Sequence, residues 1–405
     1  MRRYAMSILG SALILSIAAF AGQSKDSASS WELLKKIVLI PGISSQEGKV
    51  SDFIQGTLPS SLKVQRDAKA NVWFTTGEGR PHLLFVAHSD ELGFVVDKIT
   101  PQGTAVLRAR GGLLAQVCEA RPFVIHTAKG PVEGIIQPRP GYYQSQSAGS
   151  GRSSGQNPPQ AQPSPAQAPA QAAPLNPAQR PAPATAQQQA GQEAFELYLG
   201  VSSEQEARAL GVAEGNQVIY KKKLVELAPD TLSTRAADDR AGCAALLGAA
   251  LQIDWAKIKG RTITFAWDVE EEIGLVGAQA LAKILTPDYV FAIDTFVSTD
   301  SPLENKRFGN AILGKGAVLR AIDSSNIVPK TEIRKVAELA KKHAIPVQIA
   351  NSRGGNDGSV FVREGAVDIP ISWPGAYAHS FIEKIVRSDL EALTKLISAI
   401  VEEWK

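Results

Sequence analysis

The stretch Arg261–Gly277, RTITFAWDVEEEIGLVG, limits what this chain can fold into more than any other. Its first half is built from β-branched and aromatic residues (Thr262, Ile263, Thr264, Phe265, Trp267), the composition of a buried strand. It then runs straight into Glu270, Glu271 and Glu272, followed by Ile273 and Gly274. A run of acids is ordinarily a solvated face. Here it follows a strand that reads as buried, and in an open α/β sheet reactive groups gather at the carboxyl ends of strands. Neighbouring carboxylates at such an edge repel each other unless a cation or a shared proton relieves them. A metal site is the first expectation.

Three further apolar runs lead to a possible ligand. HLLFVA ends at His88, with Asp90 two residues on; YVFAI ends at Asp294; IPISW is followed after a short loop by His379. Asp238, in AADDRAG, stands just before a helical pattern. Singly, each has a plain explanation: His88 as a satisfied core histidine, Asp238 as a helix N-cap. Together, two His and three carboxylates suit two borderline-hard divalent ions with one bridging carboxylate. Such a pair can hold a hydroxide nucleophile and polarise a carbonyl. A further carboxylate must then carry protons, and Glu271 beside Glu272 offers both duties from adjacent positions.

The strands alternate with helices. WELLKKIVLI is amphipathic and stops at Pro41-Gly42, a second helix spans roughly Gln46 to Gln55, and a third runs from Asp239 to about Gln252. TEIRKVAELAKK is helical, and a last helix opens at Ser388 with Glu391 and carries Leu390, Leu393, Ile397, Ile400, Val401 and Trp404 on one face. Residues 94–137 change to short Val/Ile/Leu runs cut by Gly and Pro, the signature of a small β-rich module. That module resumes with a Ser203/Glu206 capping box and a strand near Gln217–Tyr220. Between them, residues 141–192 are rich in Pro, Gln and Ala and free of acids, a composition expected to stay disordered. The expected fold is α/β: a mixed-sheet α/β/α domain over 30–91 and 226–405, with a β-rich domain inserted at 92–225.

The ordered set HSDE, DDRAG, EEIGLVGA, AIDT and YAHS resembles the glutamyl/deblocking aminopeptidases, dinuclear metallopeptidases that assemble into tetrahedral particles. The resemblance covers nearly all of 30–405 outside 141–192. It implies that His88 and Asp294 ligate one metal, that Glu272 and His379 ligate the other, and that Asp238 bridges them. It makes Glu271 the general base and has Asp90 orient His88. It gives two divalent ions per subunit, zinc first with cobalt or manganese as alternatives, and peptide substrates cleaved at the N-terminus by a metal-bound hydroxide. It also assigns the inserted domain to dimerisation and access, and a homo-oligomer of dimer size or larger. The chain departs from the family at Glu270, where Gln is common, at Ala376, where Arg is common, and in Gly354-Gly355-Asn356-Asp357. All three segments border the expected substrate path, so substrate preference does not transfer.

Residues 1–21 read as a secretory leader: Arg2 and Arg3, an apolar stretch from Met6 to Phe20, and Ala19-Phe20-Ala21 as a cleavage pattern. This predicts an exported, periplasmic or secreted protein with no membrane span left after cleavage. The net charge is +3, two of it in the leader, and this argues against a nucleic-acid partner. The two cysteines, Cys118 and Cys243, are expected to be neither paired nor metal-bound. Two alternatives use the same residues differently: a metal-dependent amidohydrolase or deacylase, and a non-catalytic envelope binding protein.

Overall fold

The computed structural model describes residues 29–113, 115–138, 194–298 and 311–405. The leader and the Pro/Gln/Ala-rich segment therefore lie outside the described residues. The chain divides into two compact units, Met1–Glu91 with Lys222–Lys405, and Leu92–Lys221.

The first unit is built on a nine-stranded mixed sheet. Four parallel strands form its centre, in the order Arg261–Asp268, His82–His88, Tyr289–Val297 and Ile371–Gly375. Val72–Glu78 runs antiparallel on one flank; on the other, Ala317–Ile322 is antiparallel and Val347–Asn351 parallel to it. Side chains alternate between the faces of a strand. Leu83, Phe85 and Ala87 accordingly enter one core, while Leu84 and Val86 enter the other. Helices Ser30–Ile37, Ala237–Gln252 and Arg387–Glu403 cover the first face; Val276–Leu281 and Gly358–Val362 cover the second. Phe85 and Phe291 stack at 4.9 Å and both are fully buried, each contributing roughly 1.5–3 kcal/mol. The layers are thus α/β/α, which leaves the carboxyl edge of the parallel strands as the place for polar groups.

Helix Ala237–Gln252 is buried from Ala237 through Ala250, as an all-round apolar helix must be. Asp238 and Asp239 keep non-helical backbone within it. The capping side chain is Asp239, whose Oδ1 accepts the Gly242 N–H at 3.0 Å. A Cβ on Gly242 would stand 2.1 Å from Asp239 Oδ2, so the glycine of DDRAG is what lets that cap seat. Asp238 is thereby left without a capping duty. The last helix begins at Arg387 rather than Ser388 and has no side-chain cap; Glu391 instead receives Arg387 Nε at 2.6 Å.

The second unit is a closed six-stranded barrel, in the order Gly93–Ile99, Ala105–Arg110, Phe195–Tyr198, Gly130–Ile136, Pro122–Thr127 and Gln217–Tyr220. Phe94 meets Phe123 and Phe195 edge-on inside it, at 5.6 and 5.2 Å. Closure satisfies the strand edges that short β runs would otherwise expose. The Ser203 hydroxyl caps Glu206 N–H at 3.2 Å, but the return bond of Glu206 goes to Ser202 N–H at 2.8 Å, one residue earlier than the capping-box spacing predicts. Cys118 in this unit and Cys243 in the first are both buried, and neither is in a disulfide. No helix among the described residues is long and apolar enough to cross a membrane.

Candidate metal centre

Strand His82–His88 delivers His88 to the carboxyl edge of the sheet. Its Cα partner there is Asp268, the last residue of the strand that leads to the glutamates. Asp294 occupies the same edge on the next strand, and His379 follows the end of Ile371–Gly375. The four apolar runs therefore place their polar ends side by side, for the plain reason that they are neighbouring parallel strands.

Asp238 lies between the two imidazoles. Its Oδ1 is 3.4 Å from His88 Nε2 and its Oδ2 is 3.5 Å from His379 Nε2. His88 Nε2 is 3.9 Å from Asp294 Oδ1, and His379 Nε2 is 3.7 Å from Glu272 Oε2. These gaps are long for hydrogen bonds. Two ligand atoms about 2.0–2.2 Å from one tetrahedral ion stand roughly 3.3–3.6 Å apart. The two Asp238 separations fall in that range, and those to Asp294 and Glu272 are a few tenths of an ångström wider. Asp238 Oδ1 is buried and accepts no hydrogen bond, as a ligand atom awaiting a cation would. Three sets of donor atoms lie close enough to hold an ion: His88, Asp238 and Asp294; Asp238, Glu272 and His379; and His88, Glu271 and Glu272. The last contains the base expected from the sequence. The residues fit a divalent-metal centre.

Electrostatics support the same reading. Burial pushes the Glu271 and Glu272 carboxyls well above their usual range, and neighbouring acids push them further. Asp294 rises to about 6 through burial, with the Arg320 guanidinium pulling the other way. Burial alone would drive the charge off His88, yet the Asp238 and Asp90 carboxylates beside it, at 3.4 and 3.3 Å, hold its pKa well above the usual imidazole value. Acids outnumber the positive groups here, His88 and Arg320. Glu271, Glu272 and Asp294 are raised, whereas Asp238, despite its burial, is held below the usual carboxylate range by the neighbouring imidazoles.

Asp90 does more than orient His88. Its Oδ1 lies 3.3 Å from His88 Nδ1 and accepts Glu271 N–H at 3.0 Å; its Oδ2 accepts Glu272 N–H at 3.3 Å and the Ser44 hydroxyl at 2.6 Å. One carboxylate thus fixes the His88 ring and the backbone of both glutamates. Glu270 N–H goes to Glu47 Oε1 at 3.1 Å. These bonds matter because Glu270 is left-handed, at φ 57, and so are Ala236 at 64, Tyr377 at 64 and His379 at 61. Such residues cost about 1–3 kcal/mol each and persist only where the surroundings hold them.

Three contributors were not singled out from the sequence, and a fourth, Asp357, was named there only within its Gly-Gly-Asn-Asp stretch. Glu47 pins the glutamate turn. Glu383 Oε1 accepts His379 N–H at 3.1 Å and its Oε2 accepts Asp238 N–H at 3.2 Å. Arg320 places Nη2 3.1 Å from Asp294 Oδ2 and donates to Ser372 Oγ at 2.9 Å and to Gly355 O at 3.0 Å. Asp357, in the Gly-Gly-Asn-Asp stretch, is buried beside Asp268 and its carboxyl is raised well above the usual range, by burial and then by the Asp268 charge. The one signal available was a lone Arg within the apolar run AVLRAI.

An α/β/α sheet with His and carboxylate donor sets that could hold an ion at its carboxyl edge fits a metal-dependent hydrolase. Residues 70–157 and 179–396 match the model of the M42 glutamyl aminopeptidase family, and the chain belongs to that family. M42 enzymes are metal-dependent peptidases, and this chain is an aminopeptidase of that group. A lysyl aminopeptidase of Pyrococcus furiosus is 27% identical over 382 residues, covering 93% of this chain and 97% of the relative. A glutamyl aminopeptidase of Lactococcus lactis is 24% identical over 359 residues, 86% of this chain and 89% of the relative. Among solved structures, a Pyrococcus horikoshii TET1 peptidase, which can assemble into a tetrahedron or a large octahedral shell, superposes with a TM-score of 0.73 at 31% identity, covering 93% of this chain and all of that one.

Proposed function

We propose that this aminopeptidase works with two divalent ions, one on His88, Asp238 and Asp294 and one on Asp238, Glu272 and His379, and that Glu271 is its proton carrier. The observation that carries the reading is Asp238, whose two oxygens face two different imidazoles at matching distances of 3.4 and 3.5 Å. When bound, the ions polarise a substrate carbonyl and acidify a water. Glu271 takes a proton from that water as its oxygen bonds to the carbonyl carbon, then delivers the proton to the departing amine as the C–N bond breaks. Asp90 holds Glu271 in place through its N–H, and Arg320 fixes Asp294 through Oδ2, while Oδ1, which accepts Thr295 N–H at 2.6 Å, lies on the His88 side.

Zinc is the first choice of metal, with cobalt or manganese compatible with the same oxygen and imidazole donors. The two named relatives act at lysyl and glutamyl residues by their names, so the N-terminal residue preferred here is left to experiment. The test is metal content per chain, measured together with hydrolysis of a panel of aminoacyl-anilides and N-acyl amides. About two ions per chain with chelator-sensitive aminopeptidase activity support the proposal. Cleavage confined to the N-acyl amides points to the amidohydrolase reading, and an inert, metal-free protein to the binding-protein reading.

We also propose that the protein is exported and assembles as a dimer or larger. The export proposal rests on the leader pattern at 1–21 and is tested by N-terminal sequencing of protein recovered outside the cytoplasm. The assembly proposal rests on the TET1 relative and is tested by light scattering.

A further inference from the structure

Two of the three groups proposed for the more exposed ion, Asp238 and His379, come from segments far apart in the sequence. Both segments leave the ordinary backbone regions at that point: Ala236, two residues before Asp238, has φ 64, and His379 has φ 61. His379 sits on a loop closed at its base by paired bonds between Ala376 and Lys384, at 3.1 and 2.9 Å. Glu383 stands at that base, on a short strand whose Cα partner is Thr234, just ahead of the Ala236 turn. Its side chain is buried and points between the two segments, with one oxygen on each ligand's N–H.

We propose that Glu383 is a positioning residue that sets the spacing between Asp238 and His379, bracing both backbones from one carboxylate so that the ion site at Asp238, Glu272 and His379 exists before metal arrives. The physical reason is valence. A carboxylate has two equivalent acceptor oxygens, and here one meets the buried Asp238 N–H and the other the half-buried His379 N–H, neither of which has a helix or ladder partner of its own. An amide at the same position offers one acceptor and turns its NH2 toward the other backbone N–H, so a donor faces a donor. Bonds that orient ligands from outside the coordination sphere change metal affinity by about 10–100-fold when removed. The consequence for metal rests on the two-ion reading; the brace itself does not.

The experiment compares the full-length chain with Glu383→Gln and Asp389→Asn. Asp389 is the control for loss of a buried carboxylate, since it likewise accepts two backbone N–H bonds, from Gly314 at 2.7 Å and Gly316 at 2.6 Å, away from the proposed ligands. Zinc retained per chain is measured against graded chelator, and amide exchange over 236–239 and 376–383 is followed in the metal-free protein. In Glu383→Gln one ion stays bound at wild-type affinity, the second binds at least about 10-fold more weakly, and exchange speeds up in both segments together. Asp389→Asn changes neither readout. Should Glu383→Gln fail to fold, Glu383→Asp, which keeps the charge but is one methylene short of spanning both N–H groups, is read in the same way. Wild-type affinity for both ions with unchanged exchange overturns the proposal, as does faster exchange confined to 376–383. A wild-type chain that binds fewer than two ions refutes the two-ion reading instead, and the exchange measurement then judges the brace alone.

Discussion

The two halves of the proposed centre are built differently. His88 ends one central strand and Asp294 lies within the next, the His88 side chain is 2% exposed, and Arg320 grips the far oxygen of Asp294. Glu272 and His379 stand on loops with left-handed backbone, and the His379 side chain is 40% exposed. One half is held by sheet hydrogen bonds and packing; the other by a few carboxylates (Asp90, Glu47, Glu383) that collect backbone N–H groups. The contrast teaches that the same ligand chemistry can be set by a rigid ladder or by discrete braces, and that the second kind leaves one imidazole, His379, exposed to solvent.

The largest effect is expected where the halves meet. Asp238→Asn takes an anionic oxygen from both sites, so metal content falls toward zero and activity to background; retention of two ions would remove Asp238 as a bridge. Next comes the glutamate pair. Glu271→Gln keeps fold and ions and lowers turnover at least about a hundredfold, whereas Glu272→Gln loses one ion. Reversed phenotypes would place the base one residue later.

Graded chelation sharpens the contrast directly. The ion held by the exposed His379 leaves first, giving a one-ion species, and His379→Ala reaches that species without chelator. His88→Ala, which opens a buried strand end, destabilises the fold as well. Equal loss of both ions at every chelator concentration would mean that the structural asymmetry has no thermodynamic counterpart.

What the sequence disclosed and what it hid divide along the same line. Apolar runs ending in His88, Asp294 and the glutamates are local patterns, and their meeting at one edge follows from parallel neighbours in a sheet. The sequence leaves open whether Asp238 is an N-cap or a ligand; the Gly242 N–H bond to Asp239 shows that the capping side chain is the next residue. The braces could not be read. Glu383 and Asp238 are 145 residues apart and Glu47 and Glu270 are 223 apart, and nothing in a single chain marks a lone Glu as the acceptor for a distant N–H. Barrel closure in the second unit was hidden likewise, since short β runs fit open and closed sheets equally.

A smaller effect separates the buried half by pH. Asp268, beside His88, is fully buried with the Asp357 carboxyl next to it. Burial first, then the Asp90 charge, raise its carboxyl from 3.8 to about 8. Between those values the folded chain keeps a proton that the unfolded chain releases, so this group's stabilisation, complete below pH 3.8, is lost as pH rises through about 8. In the chelated protein Tm therefore falls across this window, and Asp268→Asn, which never ionises, flattens the fall by a few degrees. An unchanged slope would mean that Asp268 is paired with a cation or donor in solution.

The smallest effect on either half is expected from replacing residues 143–191 with a short Gly/Ser linker. This segment lies outside the described residues, but its flanks are defined. Strands Gly130–Ile136 and Phe195–Tyr198 are antiparallel neighbours in the barrel, Ile135 opposite Tyr198 and Ile136 opposite Leu197, and Gln137 N–H reaches Glu196 O at 2.8 Å. The two ends are thus already held together by the ladder, and a connection of any adequate length can join them. Closure cost grows only with the logarithm of loop length, so shortening about 50 residues to a few changes it by no more than about 2 kcal/mol. Metal content, the order of ion loss under chelator and cleavage of a single-residue substrate should all match the full chain, while oligomer size is free to shift. A variant that folds but loses one ion more readily would tie the exchangeable half to this segment, and the contrast between the halves would no longer belong to the α/β unit alone.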